Sequence, residues 1–337
     1  MCGKALTPDR GLIAERAEPT PYTILVNFVD PVLAKKGFFA TQNTGLDVKT
    51  VLEEAVGTEF ELVDAKLGGA TGKLWWFHNP TFVARLKEVP LSERVEQTVF
   101  RVLFERGRVT FTDVWDAVSR EFPNSLTSDS TSIKEALETY ARKVGSTGEW
   151  MLRDEIRQDI RAHPEIIALL AMIGKARGYD IWIGKNEQGS TAEGLAGSVR
   201  LSSLVTTRPK RLDAVVHLTD VLNMDLLWLK GNMVVTAFKV ESTTTMTSGL
   251  QRGSSLPATT PKVMILPEDR LGDFGRKMLS PLFSEHFNGE SWRLLFFDKF
   301  RDAFTKARAK TKIEDLFGVA SEIASKGKHT KQTALPF

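Results

Sequence analysis

Apolar positions along this chain fall into short runs bounded by glycine, proline or asparagine, alternating with stretches where they recur every three or four residues. The first pattern predicts strands and the second amphipathic helices. In the C-terminal half the runs are Tyr179–Gly184, Met224–Leu229, Val234–Val240, Lys262–Pro267 and Trp292–Phe297. Helical spacing fills the gaps. His163-Pro164-Glu165 opens a helix through Ile166, Leu170 and Gly174, with the proline near its first turn. Ser248–Arg252 starts a second helix, Arg270–Leu279 forms a third and Asp298–Arg308 a closing one. This alternation predicts an α/β domain, a mixed β-sheet flanked by helices, over roughly 150 residues. Residues 186–211 carry neither period and are expected to form a loop or an insertion.

Upstream, Ser92–Arg106 has apolar residues at Val95, Val99, Val102 and Leu103, and Ser92 is placed to cap the helix. A short strand, Arg108–Phe111, follows, and then a helix capped by Thr112 that ends before Pro123. A third helix is expected over Ser130–Val144, with Gly145 stopping it and Glu149–Arg153 as a strand beyond. Three helices with a β-ribbon after the third resemble a winged helix, a variant of the DNA-reading helix-turn-helix. In that resemblance Lys134, Arg142 and Lys143 are the DNA-contacting candidates, although Asp129, Glu135 and Glu138 would repel a phosphate backbone. A protein-docking role is the alternative.

The first ninety residues predict a strand at Pro21–Val29, a helix at Leu46–Val56 and strands at Phe60–Val63 and Lys73–Phe77. Gly68-Gly69-Ala70-Thr71-Gly72-Lys73 is one residue short of a phosphate-binding loop and has Leu74 where a hydroxyl is needed, so it reads as a hairpin turn. Trp75-Trp76 read as core or interface.

The chemistry concentrates in the hairpin Asp225–Glu241. Lys230-Gly231-Asn232 forms its turn. Asp225 heads one apolar run, while Lys239 and Glu241 close the other and, being two apart, share a face at roughly 6.5–7 Å along the strand. Burying such charges is costly unless they are paired. Two carboxylates beside a lysine suit a metal-dependent phosphodiesterase: the acids would hold Mg²⁺ (or Mn²⁺), the metal would acidify a water, and the lysine would steady the charged intermediate. A plain Asp225–Lys239 ion pair would satisfy the same charges without a metal.

These residues resemble the PD-(D/E)xK, restriction-endonuclease-like superfamily, whose core places one acid on a strand and an (Asp/Glu)-x-Lys tripeptide on the next. Asp225 matches the first acid; the tripeptide reads Lys239-Val240-Glu241, with acid and base exchanged. The longer string FKVESTTTMTSGLQR is similar to a domain encoded beside DNA methylases and ATPases in bacterial anti-phage defence loci. There the tripeptide carries two acids, which makes Lys239 the unusual member. The resemblance implies catalytic roles for Asp225, Lys239 and Glu241, metal ligation by Asp225 and Glu241 with Glu165 completing the shell, and DNA contacts from Gln251 and Arg252. An acid early in a helix is also favoured by the macrodipole alone, which is the competing account of Glu165.

A chain of 337 residues exceeds what one core supports. The expected division is 1–90, an α/β module; 91–155, the winged helix; 156–310, the nuclease-like domain; and 311–337, a helical or disordered tail. The formal charge is only +3 at pH 7, so affinity for nucleic acid must come from local patches such as Arg208, Lys210 and Arg211, or Lys299 to Lys312. The single cysteine, Cys2, fits a reducing cytoplasm; five scattered histidines give no zinc spacing; and no bilayer-spanning run or signal peptide is expected. Composition fits a cytoplasmic protein, and the resemblance implies a component of an anti-phage, restriction-modification-like system acting on double-stranded DNA. It either cleaves with Mg²⁺ or serves as an inactive DNA-binding or scaffolding subunit for a methylase or ATPase, and a homodimer is compatible with both.

Overall fold

A computed structural model describes residues 7–35, 53–54, 56–67, 70–83, 85–146, 148–242, 246–289 and 292–307. Most of the helix expected at Leu46–Val56, Gly68-Gly69, the threonines 243–245, Cys2 and the tail lie outside these residues. The chain divides into two compact units. One holds residues 1–153 and 276–285, the other 154–275 and 286–337.

The first unit begins with helices α1 (Thr7–Arg16) and α2 (Tyr22–Lys35), hairpin strands β1 (Phe60–Leu67) and β2 (Ala70–Phe77), and a short turn α3 (Pro80–Val83). The strand expected at Pro21–Val29 is thus a helix. Its apolar run places Leu25 and Val29 one turn apart on the buried side, and the helix carries on through Pro31. Trp75 and Trp76 are core residues, packed with Leu12, Ile13, Leu25, Phe60, Phe77 and Leu282.

Residues 91–152 follow the expected order with shifted boundaries: α4 (Leu91–Arg106), β3 (Arg108–Val109), α5 (Phe111–Glu121), α6 (Ser130–Tyr140), β4 (Ala141–Val144) and β5 (Glu149–Leu152), the strands forming a sheet in the order β3-β5-β4. Ser92 does not cap α4. Its backbone N–H donates to Glu18 Oε2 at 2.9 Å, so a carboxylate seventy-four residues away supplies the cap and is itself paired with Arg16 at 3.0 Å. Thr110, not Thr112, caps α5 through a reciprocal box with Asp113. The third helix stops at Tyr140 rather than Val144, so Arg142 and Lys143 lie on a strand; Lys143 sits over the Trp150 ring at 5.2 Å.

The second unit opens with α7 (Asp154–Ala176), which begins nine residues ahead of His163. Pro164 lies inside this helix, where it removes one backbone bond. The burial of Ile166 to Ala171 around it offsets that loss. Strand β6 (Asp180–Ile183), the small pair β7 (Thr191–Ala192) and β8 (Val199–Arg200), and helix α8 (Leu218–Leu222) follow. Residues 186–211 are more than a loop: Ala192, Leu201 and Leu204 enter the main core.

The hairpin is β9 (Leu226–Lys230) and β10 (Met233–Val240). Lys230 pairs with Met233, and Gly231 takes a left-handed φ of 62° in the turn. Helix α9 (Met246–Gly253), strand β11 (Lys262–Leu266), helices α10 (Leu271–Lys277) and α11 (Pro281–Gly289), strand β12 (Trp292–Phe296) and helix α12 (Phe297–Ala307) complete the chain. The five-stranded sheet runs β12-β11-β10-β9-β6, parallel among β10, β11 and β12 and antiparallel from β10 to β9 to β6. This is the mixed α/β sheet that the sequence predicts. Alternate residues Leu226, Trp228, Phe238, Val240, Val263 and Ile265 join the core built on α7. The intervening residues therefore face the opposite side.

Candidate functional site

On that opposite side, strand register dictates where the charges meet. Phe238 pairs with Leu226, which sets Lys239 across from Asp225, and Glu241 lies one strand repeat further on. Lys239 Nζ donates to Asp225 Oδ1 and Oδ2, both at 3.0 Å, and lies 3.1 Å from Glu241 Oε1. Asp225 Oδ2 also accepts the Val240 N–H at 2.7 Å, and the Glu241 N–H donates to the Ile265 carbonyl at 2.8 Å, which extends the parallel ladder past the strand end. The three residues expected to converge do so, but Asp225, Lys239 and Glu241 are only 2, 5 and 2% exposed.

Helix α9 closes the cluster. A Cβ on Gly249 would lie 2.6 Å from Lys239 Cγ, and one on Gly253 would lie 2.4 Å from Trp292. Two glycines four apart therefore let the helix settle directly on the sheet. Arg252 donates to the Asn223 carbonyl at 3.2 Å and Gln251 is half-buried, so both expected DNA contacts on this helix are partly withdrawn from the surface.

Burial would lower the Lys239 ammonium, yet Asp225 and Glu241 outweigh it and hold the lysine above its ordinary value. Burial pushes the Asp225 carboxyl upward against the pull of Lys239 and His163. With carboxylate oxygens of both acids within 3.1 Å of the ammonium, the ion-paired form is the one we assign at neutral pH.

Sequence reasoning missed a neighbouring pair. His163 Nε2 lies 3.2 Å from Glu187 Oε2. Burial disfavours the imidazolium, but the Glu187 bond and the Asp225 charge prevail and raise the His163 pKa. For Glu187, burial acts upward and is overcome by His163 and Lys239, so its pKa is lowered. The two residues are 24 apart in the chain, and no local pattern announces them.

Glu165 is engaged elsewhere. Its Oε1 accepts the Leu195 N–H at 2.7 Å and its Oε2 accepts Arg301 Nη2 at 2.7 Å, while Gly194 leaves the space that its carboxylate fills. Because α7 begins at Asp154, Glu165 is not in a first turn and the macrodipole does not explain it. Its charge is already neutralised by Arg301.

Nearly two helical turns earlier on α7, Asp159 is raised to about 7, first by burial and then by the nearby charge of Asp269, against Arg270 and Arg301. Between pH 3.8, the ordinary carboxyl value, and about 7 the native state keeps a proton that the unfolded chain releases. Stability therefore falls as pH rises through that window. Asp159→Asn is expected to melt higher than the parent at pH 8, with the difference vanishing towards pH 4; thermal melts across this range check it, and a constant difference would refute it.

The residues do not fit a resident divalent metal. The two carboxylates that would ligate it are already satisfied by an internal ammonium under a helix, and no group of three or more His, Cys, Asp or Glu among the described residues is arranged to hold a metal ion.

Fold and cluster together define an α/β domain organised around a buried acid–lysine–acid centre. A family model, the type II restriction enzyme NmeDI C-terminal domain, matches residues 149–288, under half of the chain but including every member of that centre. This similarity supports a restriction-endonuclease-like domain here. No curated protein and no solved structure matches the chain. No described helix is long and apolar enough to cross a membrane.

Proposed function

We propose that this protein binds duplex DNA in a bacterial anti-phage, restriction-type system, as a DNA-binding or scaffolding subunit for a methylase or ATPase partner. Its C-terminal unit would be a PD-(D/E)xK-type fold. Residues 91–152 would be a winged helix, a reading supported by the order of α4, α5 and α6 and by the β4–β5 ribbon. The observation that carries the proposal is the Lys239 ammonium lodged between Asp225 and Glu241, within the region similar to a restriction enzyme domain.

DNA contact falls to Lys134 on α6 and to Arg142 and Lys143 on β4. All three are exposed, on the ribbon and the helix ahead of it. Metal-dependent hydrolysis is the second reading: the same three site residues converge, but it would require the Lys239 ammonium to give up its place between the two acids. Incubating plasmid with the protein and Mg²⁺ or Mn²⁺ separates the two. The binding subunit shifts duplex DNA and leaves the plasmid intact; nicking that disappears in Asp225→Asn and Glu241→Gln variants shown by thermal melting to remain folded establishes hydrolysis instead.

Replacing Lys134, Arg142 and Lys143 together with alanine is expected to weaken duplex binding irrespective of sequence. It should also flatten the dependence of log affinity on log salt by roughly 2–3, since each phosphate contact contributes roughly 0.9. A salt slope unchanged from wild type would exclude these residues as phosphate contacts.

A further inference from the structure

The geometry points to Lys239 as a resident cation: its ammonium occupies the position between Asp225 and Glu241 that a divalent metal would need, so the wild-type centre is complete without metal, and removing the lysine side chain creates a metal site. This rests on the reading of these residues as the centre of a nuclease-type fold.

Three features carry it. The Nζ contacts to Asp225 and Glu241, at 3.0 and 3.1 Å, surround the ammonium with carboxylate oxygens from both acids. The centre is buried beneath α9, so a metal could not simply add beside the ammonium; it would have to displace a charge whose desolvated pairs are costly to break. Gly249 lies against the aliphatic stem of Lys239, so truncating that stem leaves a space bounded on that side by the helix backbone. Such a space would be lined by two carboxylates, the oxygen donors that Mn²⁺ and Mg²⁺ prefer.

The test compares wild type, Asp225→Asn, Lys239→Ala, Lys239→Ser, Lys239→Met and Asp225→Asn/Lys239→Ala as full-length chains. Mn²⁺ binding is followed by loss of the free-ion paramagnetic resonance signal and by thermal melting. Lys239→Ala and Lys239→Ser should each take up one Mn²⁺ per chain and melt several degrees higher when it is present. Wild type should show neither effect. Lys239→Met, whose apolar side chain refills the space, should be destabilised and unresponsive, and the double variant should lose the uptake.

Mn²⁺ uptake by wild type that Asp225→Asn abolishes would overturn the inference. So would the absence of uptake in both small-residue variants, or their failure to fold even when expressed and purified with Mn²⁺. Wild-type gel shifts, measured in EDTA at matched ionic strength, report separately on DNA binding. Their failure would remove the proposed function and leave the Mn²⁺ result standing.

Discussion

Asp225→Ala is expected to cost the C-terminal unit about 3–5 kcal/mol, the range for breaking one partner out of a buried ion pair. The loss is large because the carboxylate serves two donors at once, the Lys239 ammonium and the Val240 N–H, and water cannot easily replace it beneath α9. Denaturant unfolding of variant and parent measures it. A companion variant sharpens the result. In Asp225→Ala the ammonium still has Glu241 at 3.1 Å, so adding Lys239→Met would strand that buried carboxylate and should deepen the loss rather than recover it. A change below about 1 kcal/mol for the single variant, the size of an exposed pair, would mean that the cluster is solvated.

Trp228→Ala is expected to cost about as much, roughly 3–5 kcal/mol, for a different reason: a cavity. The indole is 2% exposed, stacks on Tyr179 with ring centres 5.6 Å apart and meets Phe238 edge-on at 4.6 Å. Its Nε1 donates to the Leu170 carbonyl at 3.0 Å, and Gly174 on the same helix is glycine where a Cβ would lie 2.5 Å from that nitrogen. The site was shaped around an indole, so a smaller side chain leaves a void and forfeits the indole's bond to that carbonyl. Trp228→Phe should lie between the two, and equal unfolding midpoints for Trp228→Ala and wild type would refute the packing argument.

Much of the sheet could be read directly. Its strands are short apolar runs with clear punctuation, and the two-residue spacing of Lys239 and Glu241, with the Gly231 turn, was enough to bring Asp225 alongside. Boundaries failed where a proline or a cap misled. Pro164 suggested a helix start because that is its cheapest position, whereas the acidic opening Asp154-Glu155 and the buried run beyond Pro164 carry one continuous helix. Pro21–Val29 looked like a strand because its apolar residues are nearly contiguous; only Leu25 and Val29, one turn apart, are buried. Arg142 and Lys143 were placed on a helix because nothing local marks the change of backbone at Ala141.

The site was legible in its membership but not in its setting. Burial of the three charges depends on Gly249 and Gly253 lying four apart on a helix that follows the hairpin, and those glycines acquire meaning only once the helix is laid across Lys239 and Trp292. The caps and ion pairs that matter most are also non-local: Glu18 on Ser92, Glu165 with Arg301, and His163 with Glu187. Side chains that meet across dozens of residues leave no periodic trace.

Residues 276–285 group with the first unit although the strands on either side of them, β11 and β12, belong to the second. Within the first unit Lys277 bonds Glu93 and Glu96 at 3.3 and 3.0 Å, and Leu282 is fully buried in the N-terminal core. A fragment cut at Arg153 would therefore strip an aliphatic anchor and a lysine of their housing, and cloning the C-terminal half on its own would need that ten-residue excursion replaced by a short polar bridge.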